Sequence, residues 1–180
     1  MSPASDAAPR AIGPRLNVRI RPIVCADGEA LRAFYANLSP DSRYRRFFAA
    51  SSGLSADQAS FFCSPDHDHR EGFVAESDAP DGSRVIVGHL CVEPVAAAAA
   101  EIAVAVADGC QRRGIGRRLM ASAIDWARDR GVRRLVATIL EAHPAMLGLI
   151  RSSELPVSWR PIGCGVVQCS LDVDARDLAA

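Results

Sequence analysis

The stretch Gln111-Arg112-Arg113-Gly114-Ile115-Gly116-Arg117-Arg118 decides the fold of this chain. An alternating apolar run precedes it at 100–106 and helical periodicity follows it at 119–130, so the sequence predicts a strand, a tight turn and a helix. The two glycines let the backbone bend sharply and approach a ligand closely. The N–H groups that begin the helix lack partners within it and carry the positive end of its dipole, and the neighbouring arginines add charge. The turn therefore favours a polyanion such as a pyrophosphate.

Two other glycine motifs match this stretch less well. A Walker phosphate loop has a lysine and a Ser or Thr after its glycines, but Arg117 and Arg118 stand there and the chain contains no lysine. A Rossmann turn has a third glycine where this chain has Leu119. The alternative interpretation of this stretch, which needs no ligand, is a basic helix N-terminus on a solvated face.

The pattern Gln/Arg-x-x-Gly-x-Gly/Ala between a strand and a helix resembles the acetyl-CoA signature of the GNAT superfamily of acyl-CoA-dependent N-acetyltransferases. That resemblance implies acetyl-CoA as co-substrate, with its pyrophosphate on the backbone amides of the turn and its pantetheine arm paired to the preceding strand like another strand. The residues implied to bind it are Ala103, Val104, Ala105, Val106, Gln111, Arg112, Arg113, Gly114, Ile115, Gly116 and Arg117.

Three further stretches, at 38–48, 100–104 and 145–147, look like one branch of that superfamily, the acetyltransferase domains of bacterial protein lysine acetyltransferases. The resemblance covers residues 18–173. It implies an amine acceptor, with a protein lysine favoured by the branch.

Periodicity and turn residues predict an α/β (α+β) chain whose element order is that of the GNAT fold. The fold would have a mixed central sheet of about seven strands flanked by about five helices, with splayed strands at the acetyl-CoA site. Strands are predicted at 18–23, 72–76, 84–92, 100–107, 135–140, 157–160 and 165–173, and helices at 27–38, 40–48, 55–62, 114–130 and 144–153. The apolar run at 135–140 predicts a strand covered on both faces. Asp27 is predicted to cap the first helix, and Ser55 with Gln58 to form a capping box on the third.

Composition predicts one domain at 17–180 behind a flexible arm at 1–16 that is rich in Ala, Pro and Ser. Basic and acidic residues number 21 each, so the net charge is zero and no nucleic-acid partner is expected. No apolar run is long enough to cross a membrane, and we expect a cytoplasmic monomer or homodimer. The six cysteines form no C-x-x-C pair and mostly lie in apolar runs, which favours buried, reduced thiols.

Glu101 is the candidate catalytic base. Acetylation needs a neutral amine, so a group must take the ammonium proton before the amine attacks. Glu101 is the only charged residue of the apolar segment 96–107, and partial desolvation would raise its pKa towards the useful range. In the lysine acetyltransferases that the chain resembles, a glutamate at this motif position acts as the base. An edge charge at the start of a strand is the alternative interpretation.

Other polar residues are weaker candidates. His89 lies within a predicted strand, where a satisfied core imidazole is favoured over a substrate-facing base. The run Asp66-His67-Asp68-His69 contains metal-ligand types, but adjacent loop residues cannot all converge on one ion, so a solvated loop is favoured. Aromatic residues at helical spacing between 34 and 48 are expected mainly in the core, although they could also line a substrate cleft.

The chain departs from the superfamily pattern at three positions. Where the family usually has an Asn that contacts the pantetheine, this chain has His143, which we include as a candidate catalytic residue able to act as an acid. Where the family usually has a Tyr that protonates the thiolate, it has Ile150, which has no proton to give. The glycine expected after the last helix is Glu154, which leaves that turn without its preferred left-handed residue.

The sequence thus predicts acetyl transfer from acetyl-CoA to an amine by direct attack in a ternary complex. A small-molecule amine is the alternative acceptor. A non-catalytic acetyl-CoA-binding regulatory module is the alternative function, because the Tyr and Asn of the family pattern are missing.

Overall fold

The computed structural model describes residues 17–79 and 81–174. The flexible arm predicted at 1–16 lies outside the described residues. Within them the chain forms seven strands and five α-helices, which confirms the predicted fold class and element order. The strands are β1 Val18–Pro22, β2 Glu71–Asp78, β3 Arg84–Ala96, β4 Ala99–Val106, β5 Arg134–Leu140, β6 Val157–Gly163 and β7 Val166–Asp172. The helices are α1 Gly28–Ala36, α2 Pro40–Phe47, α3 Ala56–Cys63, α4 Ile115–Asp129 and α5 Pro144–Arg151.

The strands form one sheet in the order β1-β2-β3-β4-β5-β7-β6. Every neighbouring pair is antiparallel except β4 and β5, which are parallel because α4 connects them as a crossover. That pair is hydrogen-bonded over only three register positions, from Ala99 opposite Arg134 to Glu101 opposite Val136. Beyond Glu101 the two strands separate, and the sheet has an opening in its middle.

Two apolar clusters cover opposite faces of the sheet. The larger one packs α4 and α5 on one face, where Leu119, Ala123 and Ile150 are fully buried. The smaller one packs α1 and α3 on the other face, around Leu31 and Tyr35. Side chains alternate along β4, so Glu101, Ala103 and Ala105 share the second face while Ala100 and Ile102 join the first cluster.

Of the two predicted helix N-caps, one is present in the structure and the other is not. The capping box is confirmed: the backbone N–H of Gln58 donates to Ser55 Oγ at 3.1 Å, and the N–H of Ser55 donates to Gln58 Oε1 at 2.9 Å. The prediction that Asp27 caps α1 is wrong. Its carboxylate accepts instead from the backbone N–H of Val24, closing a 3₁₀ turn at Cys25–Asp27, and forms an ion pair with Arg21.

The prediction that 135–140 is covered on both faces is also wrong. Leu135, Ala137 and Ile139 are buried, but the alternating residues of β5 are partly exposed or exposed. The reason is the opening beside β4, because Val136 and Thr138 line cavities instead of packing under a helix.

All six cysteines are free thiols in the described residues, and four of them are buried. Cys25 and Cys164 are exposed, contrary to the expectation of buried thiols at those two positions. Among the described residues, no helix is both long and apolar enough to cross a membrane.

Candidate active site

The opening between β4 and β5 leads into a cavity of about 500 Å³. Its walls are β4 from Ile102 to Val106, the turn before α4, the last residues of β5, the start of α5 and one side of α2. Ten of the eleven predicted cofactor-binding residues line it, namely Ala103, Val104, Ala105, Val106, Gln111, Arg112, Gly114, Ile115, Gly116 and Arg117. Arg113 does not line the cavity.

The turn is shaped by two left-handed residues. Gly114 has φ +79° and Arg112 has φ +62°, so the backbone reverses before α4 begins at Ile115. The Gln111 side chain donates to the carbonyl oxygen of Val106 at 3.2 Å and ties the turn to the end of β4. Among the described residues, the backbone N–H groups of Gly114, Ile115 and Gly116 have no hydrogen-bond acceptor. They begin a helix of 15 residues and provide donors for an anion.

The two glycines of the turn serve different purposes. A Cβ at Gly114 would meet nothing within 4 Å, so its positive φ is what favours glycine there. Gly116 is helical, and a Cβ there would lie 3.4 Å from Leu149 Cδ2 in ordinary contact. A longer side chain at 116 would extend into the cavity, which Leu149 also lines.

The basic residues of the turn are not equivalent. Arg112 and Arg117 line the cavity, whereas the Arg118 guanidinium donates to the carbonyl oxygen of Val18 at 2.8 Å and is turned away. The positive charge available to a ligand therefore comes mainly from Arg112 and Arg117, together with the helix dipole.

Glu101 lies at the last hydrogen-bonded pair before the opening. Its Oε1 accepts from Thr138 Oγ1 at 3.1 Å, and Thr138 lines the main cavity. Glu101 itself lines a second cavity of about 400 Å³, on the face of the sheet away from α4. Glu101 thus lies at the boundary between two cavities. A carboxylate in this position can contact one molecule in the second cavity while that molecule reacts with another in the main cavity.

Glu93 faces Glu101 across the β3–β4 ladder, but Arg70 forms a two-point ion pair with it at 2.7 and 3.1 Å. Glu101 has no such ion pair among the described residues. Of these two facing carboxylates, only Glu93 is held in an ion pair.

Arg46 is a residue of this site that the sequence did not single out. It extends from α2 into the lining of the main cavity, and its Nη2 donates to Cys91 Sγ at 3.2 Å. The guanidinium lies over the rings of Phe47 and Phe62 at 5.0 and 5.8 Å. Its Nε is shielded from solvent and has no hydrogen-bond partner among the described residues. Arg46 belongs to a polar, arginine-rich helix, so its sequence context is that of a solvated surface residue.

His89 is a core residue as predicted, but its hydrogen bonding is only partly satisfied, because Nε2 is buried with no partner among the described residues. The side chain is completely buried, and its Nδ1 lies 2.9 Å from the Tyr35 hydroxyl. Burial, helped by the charge of Arg46, lowers the pKa of His89 to about 3, so the imidazole is neutral near pH 7. It lines neither the main cavity nor the second one.

His143 and Ile150 are two of the three departures from the family pattern, and they lie just before α5 and near its end. His143 precedes the helix and lines the main cavity, where burial and the charge of Arg45 lower its pKa below the ordinary value. Its imidazole is therefore neutral near pH 7. Ile150 is fully buried in the apolar cluster.

The loop that contains Asp66 and His67 has a structural explanation. The Asp66 carboxylate accepts backbone N–H groups from residues 68, 69 and 70, and His67 Nδ1 lies 2.8 Å from Glu71 Oε1. No group of three potential metal ligands occurs within the described residues. The predicted aromatic core is confirmed for Phe34 and Tyr35, but Tyr44 is 49% exposed and Phe48 36% exposed.

Comparison with known proteins agrees with this geometry. The family model described as the acetyltransferase (GNAT) family matches residues 29–152. The GNAT domain of S. lividans PAT is 30% identical, with a TM-score of 0.76 over 86% of this chain and 90% of that one. The chain therefore belongs to the GNAT family of acetyltransferases.

Two less similar structures share the fold. A putative acetyltransferase from Salmonella typhimurium, solved with its cofactor acetyl-CoA, is 20% identical with a TM-score of 0.70 over 89% of this chain and 96% of that one. A GNAT phosphinothricin acetyltransferase from Sinorhizobium meliloti, solved in complex with acetyl-CoA, is 15% identical with a TM-score of 0.68 over 86% and 88%.

Proposed function

We propose that this protein transfers an acetyl group from acetyl-CoA directly to an amine in a ternary complex. The observation that carries the proposal is the cavity between β4 and β5, which begins at donor-rich backbone and ends beside a carboxylate. Membership of the GNAT family supports the reaction, and two structures of the same fold hold acetyl-CoA.

The residues around the cavity suit acetyl-CoA at both ends. The free N–H groups of Gly114, Ile115 and Gly116 and the guanidinium groups of Arg112 and Arg117 suit a pyrophosphate. The unpaired edge of β4 from Ala103 to Val106 offers alternating N–H and C=O groups to the amides of a pantetheine arm. Acetyl-CoA supplies the activated acyl group, and the chain supplies binding, orientation and proton removal.

Glu101 is the proposed general base. It faces the second cavity, through which an amine can approach, and its hydrogen bond from Thr138 holds the carboxylate at the boundary with the first. Taking the proton from the ammonium gives a neutral amine that can attack the thioester carbon. His89 is excluded from this role by its burial.

A protein lysine is the favoured acceptor. Support comes from the resemblance of the stretches 38–48, 100–104 and 145–147 to bacterial protein lysine acetyltransferases. A small-molecule amine is the alternative acceptor. A non-catalytic acetyl-CoA-binding module is the alternative function, favoured by the absence of a Tyr at Ile150.

An acceptor panel tests these alternatives. The protein is incubated with acetyl-CoA and lysine-containing proteins, peptides and small amines, and mass spectrometry identifies any acetylated product. We expect acetylation of protein or peptide lysines. Acetylation of small amines alone would identify a small-molecule amine as the acceptor. Binding of acetyl-CoA without any acetylated product would favour the non-catalytic acetyl-CoA-binding module.

A further inference from the structure

Arg46 differs from the other arginines of α2 in having neither a carboxylate nor a backbone carbonyl partner. Arg45 forms an ion pair with Asp41 at 2.8 Å, and Arg43 donates to backbone carbonyl groups, one of them Ser51 O at 2.6 Å. Arg46 donates to the sulphur of Cys91 and interacts with the buried Tyr35 hydroxyl. No carboxylate of the described residues lies within ion-pair distance of it.

This arrangement leaves a positive charge in the lining of the main cavity without an ion-pair partner among the described residues. Burial raises the pKa of the Cys91 thiol, so that sulphur is uncharged and does not balance the guanidinium. Burial alone would lower the pKa of Arg46, but the nearby Tyr35, Cys91 and Glu101 outweigh it and the pKa lies above its ordinary value. The guanidinium is therefore charged, and a bound anion in the cavity can pair with it.

The cavity that Arg46 lines is also the place where the proposed reaction generates negative charge. When the amine attacks and the thioester breaks, the C–S bond leaves its electron pair on the CoA sulphur. Ile150, at the position where the family usually places a proton donor, is apolar and fully buried, and the imidazole of His143 is neutral near pH 7. Neither residue brings a positive charge to the sulphur.

We infer that Arg46 is a further catalytic residue, whose guanidinium stabilises the departing CoA thiolate. The inference rests on the proposed function. Before the step, Glu101 has passed the ammonium proton on to solvent and is again a carboxylate. The neutral amine nitrogen forms a bond to the acetyl carbon and gives its second proton to Glu101, while the C–S bond breaks and the sulphur leaves as an anion beside Arg46, which stays protonated. No proton donor is then needed at 150.

The existing contact with Cys91 supports this assignment. Arg46 Nη2 already holds a sulphur atom at 3.2 Å, so the guanidinium is placed for N–H···S contacts. Its Nε, shielded and unpartnered, is a further donor. A thiolate accepts such charge-assisted hydrogen bonds more strongly than a neutral thiol does.

The test is the pKa of the thiol of bound CoA, which requires neither an acceptor nor turnover. Thiolate absorbance in the ultraviolet is followed against pH for the CoA complex, and the complex with desulpho-CoA, which lacks the sulphur, is subtracted to remove the chain's own cysteines. We expect bound CoA to titrate at least about one pH unit below free CoA, because an opposite charge in contact typically lowers a pKa by 1–3 units.

Variants at positions 45 and 46 then show which guanidinium lowers the pKa of the bound thiol. Arg46→Gln should raise the pKa of the bound thiol by about one unit, Arg46→Lys should restore part of the shift, and Arg45→Gln should change it much less. A bound thiol that titrates like free CoA in the wild type, or equally in wild type and Arg46→Gln, would overturn the inference while leaving CoA binding intact. Failure of the wild type to bind CoA would instead overturn the proposed function, and this inference with it.

Discussion

The cofactor turn and the acceptor side of this site are built from different parts of the chain. At the turn, backbone groups from one short segment form the binding surface, and glycine spacing with a following helix is enough to specify them. On the proposed acceptor side, Glu101 of β4 accepts a hydrogen bond from Thr138 of β5, and in the main cavity Arg46 of α2 contacts Cys91 of β3. The difference shows that a site formed by backbone groups can be recognised from one contiguous motif. A site formed by side chains from several elements depends on tertiary packing.

The largest expected effect is at the turn. Gly116→Asp should abolish acetyl-CoA binding, because it places a carboxylate in the cavity beside the proposed pyrophosphate site. The folded protein should not be weakened, since an acidic residue in the first turn of a helix is favourable. Calorimetry should show no acetyl-CoA binding, and the melting temperature should no longer rise with acetyl-CoA.

Gly116→Ala is the matched control, because its Cβ would make only an ordinary contact with Leu149. It should keep most of the affinity. Unchanged affinity in Gly116→Asp would mean that acetyl-CoA binds elsewhere.

The next effect is on the acceptor side. Glu101→Gln should lower kcat by about 10²-fold or more while acetyl-CoA affinity stays nearly unchanged, because the amide cannot take the amine proton. Glu93→Gln is the comparison, since that carboxylate faces Glu101 but is already paired with Arg70. Wild-type turnover in Glu101→Gln on an identified acceptor would remove Glu101 from the mechanism.

A smaller effect is expected at His143. Its neutral imidazole lines the cavity, but in our account Arg46 stabilises the leaving group, so His143→Ala should reduce kcat by less than the roughly 10²-fold typical of a lost general acid. His69→Ala, in a loop where the ring is 75% exposed, is the control. A loss of 10³-fold or more would identify His143 as the essential acid.

The smallest effect concerns stability and lies outside both regions. Glu154 has φ +59° after α5, where glycine would carry no steric penalty. Glu154→Gly should raise the melting temperature by about 1–2 °C, since relief of a left-handed strain of about 1 kcal/mol is partly offset by glycine's freedom in the unfolded chain.

Gly131, with φ +68° at the end of α4, gives the reverse comparison. No atom lies within 4 Å of a Cβ built there, so only backbone strain opposes Gly131→Ala, which should lower the melting temperature. An opposite sign for either variant in thermal unfolding would contradict the backbone explanation.

Much of the fold was predictable because its signals are local. The order of strands and helices and the capping box at Ser55 follow from periodicity and from residue types at helix ends. The prediction failed at Asp27, whose carboxylate pairs with Arg21, a residue of β1, and at β5, whose second face borders cavities. In both places a tertiary neighbour decided the outcome.

The site divides in the same way. The motif predicted a turn that does line the main cavity, and Glu101 stood out as a single charge in an apolar strand. Arg46 could not be singled out, because RYRR in a polar helix has no feature that separates a buried guanidinium from its exposed neighbours. Only the packing of α2 against the sheet at β4 brings Arg46 to Cys91 and into the cavity.

Direct acetyl transfer to an amine is the central claim, and a rapid-quench single turnover analysed by intact-mass spectrometry tests it most directly. Enzyme in excess over acetyl-CoA is mixed with an acceptor found in the panel. The masses of the protein and of the acceptor are measured at each quench time. We predict that the acetyl group appears only on the acceptor, at the rate at which acetyl-CoA is consumed, and that Glu101→Gln slows this single turnover. An acetylated form of the protein that accumulates before the product and then decays would contradict direct transfer.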